Sequence, residues 1–176
     1  MPVINVHERV LAAPLDAVGG LIDTLASADD RLWPRAQWMP MRLSAPLGEG
    51  AAGGHGPVRY RVEHYEPSRA VRFRFEGPRG FDGWHGLDVA AINATATRLR
   101  HVLQMRPQGL ARLSWPLFFR PLHDALLEDA LACAERALGL PVRVVPWTRQ
   151  VCVLRWIAGR GKTPPQMSGS IAAPGA

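Results

Sequence analysis

Apolar and polar residues alternate along four consecutive stretches, 56–66, 70–76, 81–91 and 96–106, and the period then lengthens to that of a helix over 118–138. Alternation with period two marks strands that bury one face and wet the other. The first two stretches read as a hairpin about Pro67-Ser68. That turn sets Tyr65 opposite Ala70, Val62 opposite Phe73 and Tyr60 opposite Phe75. One face then carries Val58, Tyr60, Val62, His64, Val71, Phe73 and Phe75. The other carries Arg59, Arg61, Glu63, Tyr65, Arg72, Arg74 and Glu76. In the next two strands Phe81, Gly83, His85, Leu87 and Val89 share a face, as do Leu99, His101, Leu103 and Met105, with a turn centred on Asn93. Pro116 and Pro121 restrict the start of the long helix to about Arg120, and Gly139 and Pro141 stop it. Its apolar stripe is Phe119, Leu122, Leu126, Ala130, Cys133 and Ala137.

Upstream, Val3–Leu11 alternates and is β-branched, as a strand requires, but Ile4/Val6/Val10 and Val3/Leu11 compete for its buried side. Pro14 suits the first turn of a helix over 15–26. Gly19 and Gly20 weaken that helix while permitting close packing. Ser27 and Asp29 are candidate caps of a second short helix ending near Trp33 and Pro34. Residues 37–43 read as a strand and 47–56 as a glycine-rich loop at a cavity mouth. The expected fold is α+β: a curved antiparallel sheet of about six strands wrapped on one long C-terminal helix, with two short helices after strand 1. Such a sheet and helix enclose a pocket. The expected organisation is a ligand-binding domain over 1–140, an appended basic, Trp-containing segment over 141–158, and a disordered Gly/Pro/Ser-rich tail over 159–176.

Composition adds few constraints. The 176 residues suffice for one domain with a real core. No run of 18 apolar residues predicts a membrane span, and the N-terminus shows no basic start followed by an apolar run. The two cysteines, Cys133 and Cys152, have no metal-type spacing, so both are expected free in a reducing cytoplasm. The formal charge of +6 is carried almost wholly by arginine. Arg59, Arg61, Arg72, Arg74, Arg98 and Arg100 fall on the outer face, where Glu63 and Glu76 match them and no aromatic residues alternate with them as a stacking platform. Nucleic acid is therefore not expected as a partner. The loop 48–56 lacks Gly-Lys-Ser/Thr and leads into a strand, which rules out a phosphate cradle of that type.

The order strand, helices, strands, long helix resembles the START-related superfamily (SRPBCC), or helix-grip fold. The resemblance is carried by "LAAPLDAV", "RLWP", "GPVRYRVEHYEPSRAVRFRF", "GFDGWHGLDV", "TRLRHVLQM" and "RPLHDALLEDALACAERAL", over residues 3–138. The start is similar to bacterial polyketide cyclase/dehydrase-like members. The resemblance implies an apolar cavity between sheet and helix, shared by lipid carriers, plant ligand binders and aromatic polyketide cyclases. It implies no particular activity.

Candidate chemistry centres on histidines. The hairpin register places His64 opposite Val71, Val71 beside His85, and His85 opposite His101, in one lateral row on the inner face, with His123 near the start of the helix facing the same space. His85, His101 and His64 are therefore the candidate proton donors and acceptors. The alternative is local hydrogen bonding at the cavity lip. No metal site is expected, because no carboxylate or cysteine completes the set, and no cofactor is expected. Ligand contacts are assigned to Trp33, Trp38, Tyr60, Val62, His64, Phe73, Phe75, His85, Leu87, His101, Leu103, Leu122 and Leu126. Over 147–158, a helix would put Trp147, Val151, Leu154 and Ala158 on one side and Arg149 and Arg155 elsewhere, docking on its own domain or on a second subunit; a homodimer is compatible with this. The expected function is binding of an apolar or aromatic small molecule, lipid- or polyketide-like. The alternatives are a cyclase/dehydratase-like enzyme using the pocket histidines, and a protein-interaction or regulatory module.

Overall fold

A computed structural model describes residues 1–158; the tail expected over 159–176 lies outside the described residues. Seven strands form one antiparallel sheet in the order β1-β7-β6-β5-β4-β3-β2. They are β1 (Val3–Leu11), β2 (Arg42–Leu43), β3 (Ala52–His55), β4 (Val58–Glu66), β5 (Ala70–Gly77), β6 (Phe81–Asn93) and β7 (Ala96–Pro107). Helix α1 (Leu15–Asp23) follows β1, and the chain after β7 runs through α2 (Ala111–Ser114), a π-helical turn (Trp115–Phe119) and α3 (Arg120–Ala137). The α+β helix-grip architecture is the expected one. No helix among the described residues is long and apolar enough to cross a membrane.

Three expectations are corrected. The described residues form seven strands where about six were expected, because part of the glycine-rich loop pairs as β3 with β4. Gly53 and Gly54 allow this: a Cβ on either would fall 1.9–2.0 Å from the backbone oxygen of Arg42 or Val58. Only one helix follows strand 1. Asp30 spends its carboxylate on the backbone N–H groups of Ala26, Leu32 and Trp33, which ties 26–33 into turns instead of a helix. The stripe of α3 turns away from Cys133 and Ala137 and buries Leu127, Leu131 and Ala134, since α3 is covered by α4 (Arg149–Ile157) as well as by the sheet.

Gly19 packs α1 directly onto the β4–β5 turn, where a Cβ would meet the Ser68 carbonyl oxygen at 2.0 Å. Asp23, at the end of α1, accepts from Ser68 N, Ser68 Oγ and Tyr65 Oη at 2.6–2.8 Å. The hairpin closes as a turn with Arg69 N donating to Glu66 O, Pro67 at its second position and Ser68 at φ 56°. The loop thus holds one more residue than the two-residue turn expected. A bulge between Val62 and His64 takes up the slip, so Tyr60↔Phe75 and Val62↔Phe73 pair as expected. Between bulge and turn the faces exchange. Tyr65 turns toward the core, while His64 lies opposite Arg72, half exposed and paired with Glu49 at 3.3 Å.

On the outer face Glu63 pairs with Arg72 and Arg74, Arg61 with Glu76, and Arg100 with Asp88, at 2.8–3.1 Å. Arg59, on the same face, donates to the carbonyls of Gly56 and Val58 and not to Glu76. Pro121 has no N–H for the Leu117 carbonyl one turn back, and Gln150 Nε2 of α4 donates to that oxygen at 3.2 Å.

Candidate functional site

Between the inner face of the sheet and α3 lies a cavity of about 500 Å3. Phe73 and Phe75 from β5, His85 and Leu87 from β6, and Leu99, His101 and Leu103 from β7 form its sheet wall. Leu122, His123, Leu126, Leu127, Ala130 and Leu131 from α3 form the opposite wall. Trp33, Trp38, Met39 and Met41 close one end with His55 and Val58, and Phe81, Trp115, Phe118 and Phe119 close the other.

Of the ligand contacts assigned from sequence, Trp33, Trp38, Phe73, Phe75, His85, Leu87, His101, Leu103, Leu122 and Leu126 line this space. Tyr60 and Val62 do not line it; they are buried in the core, with the Tyr60 hydroxyl 3.1 Å from His55 Nδ1. His64 is excluded by the bulge. His55, Trp115, Phe118 and Phe119 were not assigned. β3 is too short for its alternation to be legible, and the π-helical turn breaks the helical period that would have placed the aromatic residues.

The histidine row exists in altered form. His85 lies opposite Leu103 and His101 opposite Leu87, not opposite each other. Phe73, not Val71, is the β5 neighbour of His85. Each register differs from the expected one by two residues; at the β6–β7 turn Asn93 accepts from Thr95 N at 2.9 Å through its side chain, and the β5–β6 register is set separately by the loop between Gly77 and Phe81. A two-residue slip preserves the face. Both rings therefore remain on the inner wall and meet diagonally, with His85 Nδ1 at 3.3 Å from His101 Nε2.

These rings belong to a longer file. From His55 through Tyr60, His85, His101 and His123 to His7, successive ring centroids lie 5.7, 5.0, 5.5, 5.1 and 6.1 Å apart. Five of the six histidines thus fall in one file, and four of them, His55, His85, His101 and His123, form a polar seam along an otherwise apolar cavity wall. His85 is also stacked against Phe73 and Phe75 at 5.1 and 4.9 Å. Burial holds the His85 and His101 imidazoles well below their usual pKa of 6.5, reinforced by His55 and His123. Both rings are neutral at pH 7, so one N–H donates to the other's lone pair. Their outer nitrogens, His85 Nε2 and His101 Nδ1, are buried and have no hydrogen-bond partner among the described residues. The pair can hold and pass one proton beside a bound molecule.

Charging these rings favours the unfolded chain. Below pH 6.5 the unfolded state binds more protons than the folded one, so stability falls as the pH drops. The expected slope is up to about 1.4 kcal/mol per pH unit for each histidine, and His85→Phe should flatten it by one such contribution. Urea unfolding between pH 7.5 and about 5 checks this.

The segment after α3 caps one end of the cavity. In α4 the buried face is set by Val151, from the apolar side expected, together with Arg155, which the sequence placed elsewhere. The Arg155 guanidinium lies between the rings of Trp38 and Trp147 at 4.3 and 4.1 Å, donates to Gln37 O at 2.6 Å, and lines the cavity with Ala158. Asp129 of α3 accepts from both indole nitrogens at 2.7 and 2.9 Å. Burial raises the Asp129 carboxyl against the opposing pull of the two indoles and Arg155.

No protein-family model matches the sequence, and no curated protein matches it. Solved structures do match in shape. An NMR structure from Thermobifida fusca superposes with a TM-score of 0.60 at 17% identity, covering 81% of this chain and 97% of that one. Norcoclaurine synthase from Thalictrum flavum, in complex with dopamine and hydroxybenzaldehyde, gives 0.59 at 12% identity over 81% and 90% of the two chains. CalU16 from Micromonospora echinospora gives 0.55 at 14% identity over 89% and 83%. The helix-grip fold is thereby shown for this chain, and at these identities the likeness concerns the fold alone.

Proposed function

We propose that this protein binds one apolar or aromatic small molecule, lipid- or polyketide-like, in the cavity between its sheet and α3. The observation that carries the reading is the cavity itself. About 500 Å3 is the size of a small-molecule site, and its walls are apolar apart from a few convergent polar side chains. An apolar body would pack on Phe73, Leu103, Leu122 and Leu126, and a single polar group would find the His85–His101 pair. That another helix-grip protein holds dopamine and hydroxybenzaldehyde agrees with an aromatic ligand. Two free thiols, Cys133 and Cys152, agree with action in the cytoplasm.

Incubating the purified protein with broad lipid and aromatic polyketide libraries, followed by native mass spectrometry, tests the reading. The expected result is one retained molecule per chain. No retention across the libraries overturns it.

A second reading, a cyclase- or dehydratase-like enzyme, is favoured by the 3.3 Å contact of two buried neutral imidazoles on the cavity wall. In that case His85→Ala or His101→Ala abolishes turnover of a retained ligand while binding survives. Unchanged turnover in both variants removes this mechanism.

A further inference from the structure

We propose that His7, His123 and Asp124 hold a first-row divalent transition-metal ion between β1 and the first turns of α3. One ligand atom from each residue lies within 4.8 Å of the other two. His7 Nε2 is 3.1 Å and His123 Nδ1 3.6 Å from Asp124 Oδ1. Around an ion with bonds of about 2.0–2.1 Å, neighbouring ligand atoms lie about 3.3 Å apart, so small side-chain rotations close the set.

Three further features point to an ion rather than to a simple ion-pair cluster. The other nitrogen of His7, Nδ1, is 3.0 Å from Glu128 Oε1, the carboxylate support that orients metal-binding histidines. His123 is buried, its Nδ1 reaching no nearer than 3.6 Å to the Asp124 carboxylate and its Nε2 without a hydrogen-bond partner among the described residues, an arrangement that costs free energy until something binds the ring. Asn5 donates its amide N–H to Asp124 Oδ1 and so orients that carboxylate, while its own carbonyl oxygen is buried and without a hydrogen-bond partner among the described residues.

Two imidazole nitrogens and a carboxylate suit zinc, cobalt, nickel or iron(II) rather than calcium or magnesium. Three protein ligands leave at least one coordination position for water or for a ligand atom. His123 also lines the cavity, so the ion would sit at its polar seam. This site is not legible in the sequence, because its carboxylate comes from the helix rather than from the histidine row of the sheet.

The test uses the full chain, stripped with a chelator and titrated with cobalt(II) alone, read by visible absorption and calorimetry. The expected result is one equivalent bound, with ligand-field bands of a nitrogen- and oxygen-ligated ion. His123→Ala and Asp124→Asn each weaken binding at least tenfold. Glu128→Gln weakens it by roughly 10–100-fold, as loss of an outer support does. His64→Ala, at the half-exposed histidine outside the set, leaves it unchanged. Absence of uptake by the wild-type chain overturns the proposal without recourse to any variant. Uptake that survives His123→Ala, or that is lost in His64→Ala, also overturns it.

Discussion

Replacing Arg9 with methionine is expected to cost roughly 3–5 kcal/mol of folding stability. Arg9 projects from β1 toward α3, buried, with its guanidinium 2.7 Å from Glu128 and 3.0 Å from Glu135. Glu135 is itself buried and also accepts the Arg143 backbone N–H at 2.7 Å. Without the arginine, a buried carboxylate loses its counter-charge and must be hydrated or protonated inside the fold. The pair itself contributes far less than this, because its desolvation offsets most of the attraction. Arg9→Met combined with Glu135→Leu is accordingly expected to recover most of the loss. Urea unfolding followed by tryptophan fluorescence checks both, and a cost under about 1 kcal/mol for the single variant would show that water already reaches the pair.

The largest expected effect on binding comes from Ala130→Trp. Ala130 lies on the face of α3 that looks across the cavity and is almost fully buried. An indole there occupies the space between helix and sheet that the proposed ligand needs. Affinity for an apolar fluorescent probe should fall at least about 100-fold, or about 2.7 kcal/mol. Because the new side chain fills a void, stability should change by no more than about 1–3 kcal/mol in either direction. Tight probe binding retained in a folded Ala130→Trp variant would place the binding surface elsewhere.

The site was legible where alternation is strong and its errors come in pairs. His85 and His101 were placed on the inner wall although both registers were assigned two residues off, since the face depends only on parity. His64 was misplaced because a single extra residue, Arg69 in the turn, exchanges the faces until the bulge restores them. In β1 the two candidate faces could not be separated by apolarity. The structure turns Val3, Asn5, His7, Arg9 and Leu11 inward, the first three half-buried and the last two buried, and leaves Ile4, Val6 and Val10 exposed. That choice is made by Asp124, Glu128 and Glu135, more than 100 positions away, which draw Asn5, His7 and Arg9 inward. Arg155 was placed off the apolar side of its helix for the same kind of reason: Trp38 and the Gln37 carbonyl, both remote in sequence, join Trp147 to make a buried place for its guanidinium.

The sequence by itself determined the five long strands and the one long helix, the inward set on β5, β6 and β7, and hence an α+β fold with an apolar space beneath that helix. Those properties follow from periods of two and 3.6, which the backbone imposes over a few residues. Only the tertiary structure decided the lateral register, the polar inward face of β1, the cap made by α4, and the meeting of His7 with His123 and Asp124. Each depends on how turns close and on charges brought together across more than a hundred residues, and no local period encodes that distance.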